Sequence, residues 1–280
     1  MIVDLHSHST ASDGSDTPRR VVELAIESGL SSLALTDHDT QEGLHEAALA
    51  AEGSGLELIP GLELSLNFDR GGMHLIVLWL RPDAAPLGDR LAALRAGRDE
   101  RNLRIVETLT KIGLPITIEE VEEEAGGGSV GRPHIAAVMM AHGYVPDIRT
   151  AFDLWLGSGK PAYVDRNRLD PEEAIALARE SGGVPILAHP HTLGITTAGE
   201  MADLLTRLRR AGLVGLEAVY SAYRRHEREG YADLGRRFGL IPSGGSDYHG
   251  SYKPGLMLGS GYGDLVVPPT LCAQLRDHAW

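Results

Sequence analysis

Short apolar runs at 1–5, 32–35 and 56–59 alternate with stretches of helical period, and this alternation restricts the fold more than any other feature of the chain. Thr17-Pro18 supplies an N-cap and a first-turn proline. Val21, Leu24, Ala25 and Ser28 then keep helical spacing, and Gly29 closes the helix. A second helix carries Leu44, Ala47, Ala48 and Ala51 on one face. Strand, helix, strand with connections of this length implies parallel strands and right-handed crossovers. The alternation resumes at Asp170-Pro171, with strands predicted over 184–187, 216–219 and 240–243 and helices over about 201–210 and 224–238. Polar clusters follow the strand ends: Thr36-Asp37-His38-Asp39, Pro60-Gly61-Leu62-Glu63, Ala188-His189-Pro190-His191 and Gly244-Gly245-Ser246-Asp247-Tyr248-His249. Barrels and open α/β sheets place their chemistry there. His74, at the start of a strand predicted over 73–80, does not obey that rule.

Between about 85 and 160 the pattern becomes helical throughout. A long Arg-rich helix is predicted over 89–112, and Thr117-Ile118-Glu119-Glu120 has the form of a capping box. Gly126-Gly127-Gly128 marks a flexible break, Arg132-Pro133-His134 opens another helix, and 146–156 forms one more. The expected organisation is a first barrel segment at 1–84, a helical insertion at 85–162 and a second barrel segment at 163–280. Aromatic residues make up only 5% of the chain, so the core is expected to be built from Leu, Val, Ile and Ala.

A formal charge of −13 argues against duplex DNA as a partner, which needs a basic face. It does not exclude a small phosphorylated ligand, because bound divalent cations invert the sign of a local acidic site. The single Cys272 excludes an internal disulfide. The start of the chain has neither the basic region nor the long apolar run of a signal peptide. Runs such as 75–80 are too short to span a bilayer. The expectation is a cytoplasmic protein without membrane contact.

His6 and His8 lie two residues apart on an extended segment, so their rings share one face and can converge on an ion. With Asp13, His38, Glu63, His74, His134, His189, Asp247 and His249 they make a set of imidazole and carboxylate donors. That set exceeds the needs of one ion and suits two or three. A carboxylate such as Glu63 can bridge two cations. Ions about 3.5–4 Å apart hold a hydroxide between them, which supplies a nucleophile without Ser or Cys. Asp37 is read as a helix cap or as a partner orienting a ligand, and Glu217 as structural. His45, His142, His226 and His278 are given no role, and Arg224, Arg225 and Arg228 are read as a solvated helix face.

The motifs Asp4-Leu5-His6-Ser7-His8, Thr36-Asp37-His38, Gly61-Leu62-Glu63, His74, His134, Ala188-His189-Pro190 and Ser246-Asp247-Tyr248-His249 span nearly the whole chain in order. In this the chain resembles the PHP (polymerase and histidinol phosphatase) phosphoesterases. The resemblance implies an α/β fold, a distorted (β/α)7 barrel with a helical insertion, and a trinuclear site. One ion would take His6, His8, Glu63 and Asp247, a second Glu63, His74 and His134, and a third Asp13, His38 and His249. His189 would be a ligand of the second ion or a phosphate contact. Two or three divalent ions are implied, with manganese the first choice and zinc or iron the alternatives.

Within the family, the segment from Arg95 to Arg104 and Ser12-Asp13-Gly14 are similar to the stand-alone nucleoside 3′,5′-bisphosphate phosphatases, some of which act as 5′-to-3′ exoribonucleases. The substrate implied is a nucleotide or the 5′ end of a short RNA. Arg98, Arg101, Arg132 and Lys160 would meet its phosphates, together with Asp13 and His189, an Arg fork gripping two phosphate oxygens at once. A solvated helix face is the competing reading of Arg98 and Arg101. Catalytic roles would fall to Glu63, Asp13, His189 and His249, with His189 or His249 protonating the leaving oxygen. The alternatives are a cyclic phosphodiesterase or RNA exonuclease, a histidinol-phosphate phosphatase, and a non-catalytic metal-binding module. A histidinol phosphatase carries histidine where Asp13 stands, and His191 departs from the family pattern.

Overall fold

Seven strands hydrogen-bond in the order in which the chain makes them: β1 (Ile2–Asp4), β2 (Leu30–Leu35), β3 (Glu57–Leu66), β4 (Met73–Leu78), β5 (Val184–Leu187), β6 (Gly215–Tyr220) and β7 (Ile241–Gly245). The computed structural model describes residues 2–81, 87–126, 130–165 and 168–279. Helices α1 (Pro18–Glu27) and α2 (Leu44–Ala51) follow β1 and β2, α7 (Pro171–Glu180) precedes β5, and α8 (Ala198–Ala211) and α9 (Arg225–Arg237) follow β5 and β6. Thr17 caps α1 by accepting the Arg20 N–H, as the Thr-Pro pair requires.

The ring closes where β7 meets the first strand. The Leu5 N–H donates to the Gly244 C=O at 3.2 Å, Asp247 N–H to His6 C=O at 2.8 Å, and His8 N–H to Tyr248 C=O at 2.9 Å. Asp4 holds this seam from inside, its buried carboxylate accepting the N–H groups of His6, Ser246 and Gly259. A Cβ at residue 245 would lie 2.5 Å from the His6 nitrogen, so only glycine lets the two segments approach this closely.

Two strand expectations change. β3 does not stop at Ile59 but runs on to Leu66, so Glu63 sits in mid-strand opposite Ile76. The Pro60-Gly61 pair has the composition of a turn, yet the alternation of Leu62, Leu64 and Leu66 with Glu63 and Ser65 continues the sheet beyond it. β4 is antiparallel to both β3 and β5, while every other neighbouring pair is parallel. Its N-terminal end therefore lies at the same mouth as the C-terminal ends of the others, which is why His74 begins a strand and still belongs to the site. Ala48 is exposed, so the packed side of α2 is Leu44 and Ala47, with Ala51 partly buried beside them.

The opposite end is sealed by α10 (Pro269–Arg276), whose Cys272 and Leu275 pack with Val184 and Ile186 of β5 and Leu78 of β4. The helices between β4 and β5 are α3 (Leu87–Lys111), α4 (Ile118–Glu124), α5 (Arg132–Ala141) and α6 (Ile148–Ala151), the last running into a π-helical turn at Phe152–Leu156. The capping box of α4 forms in both directions between Thr117 and Glu120. Ile105, Leu109, Val121, Ile135, Met139 and Leu156 make a separate apolar cluster within this helical segment. Leu87, Leu91 and Leu94 of α3 pack instead with strand residues Leu75 and Val77. Gly127, Gly128 and the 84/85 boundary lie outside the described residues. No helix among the described residues is long and apolar enough to cross a membrane.

Candidate metal centre

At the mouth, the Glu63 carboxylate is the hub. Its Oε2 lies 3.2 Å from His6 Nε2, 3.2 Å from His8 Nε2 and 3.3 Å from His38 Nδ1. Its Oε1 lies 2.9 Å from both His74 Nδ1 and His189 Nε2. Each oxygen thus faces its own set of imidazoles. Asp247 Oδ1 stands 3.4 Å from His6, His8 and His249, and Asp13 is 3.4 Å from His249, 3.7 Å from His8 and 3.8 Å from His38. Among the described residues four groups have donor atoms mutually within 4.8 Å: His8, Asp13, His38 and His249; His6, His8 and Asp247; His6, Glu63 and His189; His38, Glu63 and His74.

A surrounding layer fixes these donors. Glu217, fully buried, takes His6 Nδ1 at 2.9 Å on one oxygen and the His189 N–H at 2.7 Å on the other. Asp247 Oδ2 accepts from Tyr220 Oη at 2.7 Å and Lys253 Nζ at 2.5 Å, leaving Oδ1 to the histidines. Asp37 accepts the N–H and hydroxyl of Ser9 and the hydroxyl of Ser12, which sets the turn that carries Asp13. Of the four described non-glycine residues with positive φ, His189 at 20° and Asp247 at 57° are donors and Asp39 at 55° follows the donor His38. Strain of about 1–3 kcal/mol per such residue persists only where the surroundings enforce it.

The donors fit divalent cations. With its Nδ1–H given to Glu217, His6 turns a lone pair at Nε2 toward two carboxylates and His8 Nε2, 3.1 Å away. His38 Nδ1 is buried without a hydrogen bond. Lone pairs converging in this way need positive charge between them. Burial opposes protonation of His8, yet hydrogen bonds to Asp247 and Glu63 raise it to about 9. Burial favours a protonated Glu63, but the imidazoles around it hold it well below the usual carboxylate range. Imidazole and carboxylate without thiolate suit manganese, iron or zinc.

Not every expected residue joins this centre. His134 lies outside all four groups, and its Nδ1 accepts the Gly131 N–H at 3.0 Å. Arg98 and Arg101 are buried, which removes the solvated-face reading. Arg98 donates to Asp39 at 2.6 Å and to the His38 C=O at 3.0 Å, tying α3 to the loop that carries His38. Arg101 donates to Asn102 Oδ1, and Arg132 lies over the rings of Phe152 and Tyr163 while donating to the Leu156 C=O. Lys160 is exposed. Glu217 does more than the structural role expected of it, and Tyr220 and Lys253 join the site without a signal in the sequence. The available signal is a carboxylate inside an apolar strand, since Glu217 lies mid-strand in β6 and is fully buried; the other two are tied to Asp247 only through the fold.

The Glu217 contacts predict a measurable effect. In Glu217→Gln a single amide oxygen must serve both donors, and manganese affinity is expected to fall about 10–100-fold, the usual scale for a partner that orients a ligand. Calorimetric titration of the metal-free protein with Mn²⁺ checks this, and unaltered affinity would return Glu217 to a purely structural role.

A sequence profile described as PHP domain matches residues 4–107. A 5′-3′ exoribonuclease of Haemophilus influenzae is 35% identical over 246 residues, covering 88% of this chain and 89% of its own. A 3′,5′-nucleoside bisphosphate phosphatase of Chromobacterium violaceum is 32% identical over 260 residues, covering 92% and 90%. A solved structure of an amidohydrolase from Chromobacterium violaceum, with bound sulfate and no metal, superposes with a TM-score of 0.89 at 30% identity, covering 100% of this chain and 98% of that one.

Proposed function

Because the chain belongs to the PHP family of metal-dependent phosphoesterases, we propose that it removes the 3′-phosphate of a nucleoside 3′,5′-bisphosphate. The observation that carries this reading is the Glu63 carboxylate, with His6, His8 and His38 on one oxygen and His74 and His189 on the other. A carboxylate so placed can bridge two cations, and the group of His8, Asp13, His38 and His249 offers room for a third. Manganese is the first choice for these ions. Divalent ions held there would activate water near neutral pH and offset the charge of a phosphoryl group.

The chain's own residues do the rest. Glu217 keeps the His6 lone pair turned inward, and Tyr220 with Lys253 keeps one Asp247 oxygen directed at the histidines. Arg101, Arg132 and Lys160 belong to the helical segment between β4 and β5, and they are the groups assigned to a second phosphate. The bisphosphate phosphatase relative supports the substrate class, and sulfate in a related structure supports a site for a tetrahedral dianion. The exoribonuclease relative supports a second reading, removal of nucleotides from the 5′ end of short RNA at the same centre.

A substrate panel with added Mn²⁺ separates the two. Nucleoside 3′,5′-bisphosphates, cyclic nucleotides, histidinol phosphate and 5′-phosphorylated RNA oligomers are incubated with the protein, and products are resolved by chromatography. Release of the 3′-phosphate from the bisphosphate, faster than any other turnover, is the expected result. Mononucleotides from RNA with an inert bisphosphate would overturn the first reading in favour of the second.

A further inference from the structure

We propose that His134 is a donor to substrate phosphate, not a metal ligand, and that α5 exists in part to present it. This rests on the phosphoesterase reading above. The argument begins at the start of α5, where the N-cap is Gly131 and the third helical residue is His134. A capping box normally has Glu or Gln at that third position, reaching back to accept the N-cap N–H. Here the imidazole does so, with Gly131 N–H donating to His134 Nδ1 at 3.0 Å.

A backbone amide can only donate, so Nδ1 must present a lone pair. A neutral imidazole that accepts at Nδ1 carries its hydrogen on Nε2. A metal ligand needs a free lone pair. The lone pair of Nδ1 is engaged by the helix, and Nε2 has none to offer while it holds a proton. The ring is therefore fixed as a donor.

Its surroundings indicate what it donates to. His134 is 1% exposed, and Nε2 has no hydrogen-bond partner among the described residues. Gly131 abuts Asp13, where a Cβ on the glycine would come 3.1 Å from the aspartate Cβ, so the first turn of α5 stands beside the donor group of Asp13, His38 and His249. The His134 ring meets Tyr252 edge to face at 5.4 Å, and the Tyr252 hydroxyl donates to Glu124 of α4 at 2.9 Å. The ring is thus fixed on both sides next to the centre. An imidazole N–H that no described residue accepts from is available to a ligand, and the start of a helix favours an anionic one. A phosphate oxygen meets both conditions.

The test uses the full-length protein, manganese and inorganic phosphate. His134→Ala is expected to keep the wild-type Mn²⁺ stoichiometry by elemental analysis. Its affinity for inorganic phosphate, measured by calorimetry on the manganese-loaded protein, is expected to fall about tenfold, as for a lost hydrogen bond to a charged group. His134→Gln can cap Gly131 through its oxygen and donate through its amide, so it should recover most of that affinity and also guards against misfolding in the alanine variant. Long-range ¹H–¹⁵N spectra of the wild type should show the Nε2–H tautomer. Loss of one manganese in either variant, unchanged phosphate affinity in His134→Ala, or an Nδ1–H tautomer would each overturn the proposal. None of these readouts depends on which nucleotide is turned over, so a wrong substrate in the functional reading would leave them standing.

Discussion

Glu63→Gln is expected to lower phosphoester turnover by at least about a hundredfold while leaving the fold in place. The glutamine is nearly isosteric, so the buried mid-strand position opposite Ile76 is still filled. What changes is charge and valence. One carboxylate oxygen becomes an NH₂ group, and it must face His74 and His189 or else His6, His8 and His38. Either way, a set of imidazoles loses the anion it surrounds. Loss of a partner that merely orients a ligand costs about 10–100-fold in metal affinity or activity, so loss of the hub must cost at least the upper end of that range. Metal content and turnover should fall together, with the circular dichroism spectrum unchanged. A variant that keeps both its manganese and its turnover would remove the metal-based account of the chemistry.

The second large effect concerns α3. Arg98→Met retains the apolar stem but takes a guanidinium away from the buried Asp39 carboxylate. Breaking a buried pair in this way costs about 3–5 kcal/mol. In a chain of this size each kcal/mol moves the midpoint by roughly 2–4 °C, so thermal unfolding is expected about 10 °C lower. Asp39 also accepts the Ser65 N–H, so the disturbance reaches the strand that carries Glu63. If Arg98→Met melts like the wild type yet binds inorganic phosphate tenfold more weakly, the arginine is a phosphate clamp after all and not an anchor.

Much of the fold is legible in the sequence because its signals are local. Thr17-Pro18 and the Thr117 to Glu120 box announce helix starts through groups three residues apart, and both form as expected. His6 and His8 meet because side chains on an extended segment repeat every two residues. The antiparallel course of β4 is not legible, because direction depends on which edge the strand joins, and β-pairing leaves no mark within a single strand. The same holds for Glu217: its spacing from His6 is 211 residues, and only closure of the ring brings them to 2.9 Å. His134 shows the reverse case. The family resemblance groups it with the metal ligands, whereas the backbone three residues back already donates to its Nδ1.

The reversed fourth strand also decides how the helical segment is mounted. Since β4 ends at the floor of the barrel, the polypeptide starts its excursion on the side away from the chemistry and must climb the outer wall to reach it. The first turns of α3, through Leu87, Leu91 and Leu94, lie along that wall, and Arg98 docks beside Asp39 at the rim. At 1.5 Å per residue the rise from Leu87 to Arg98 is roughly 17 Å, close to the roughly 20 Å height of a six-residue strand. The helix is a mast whose lower half is cut to the height of the barrel, and Arg98 fastens it beside the loop that carries His38.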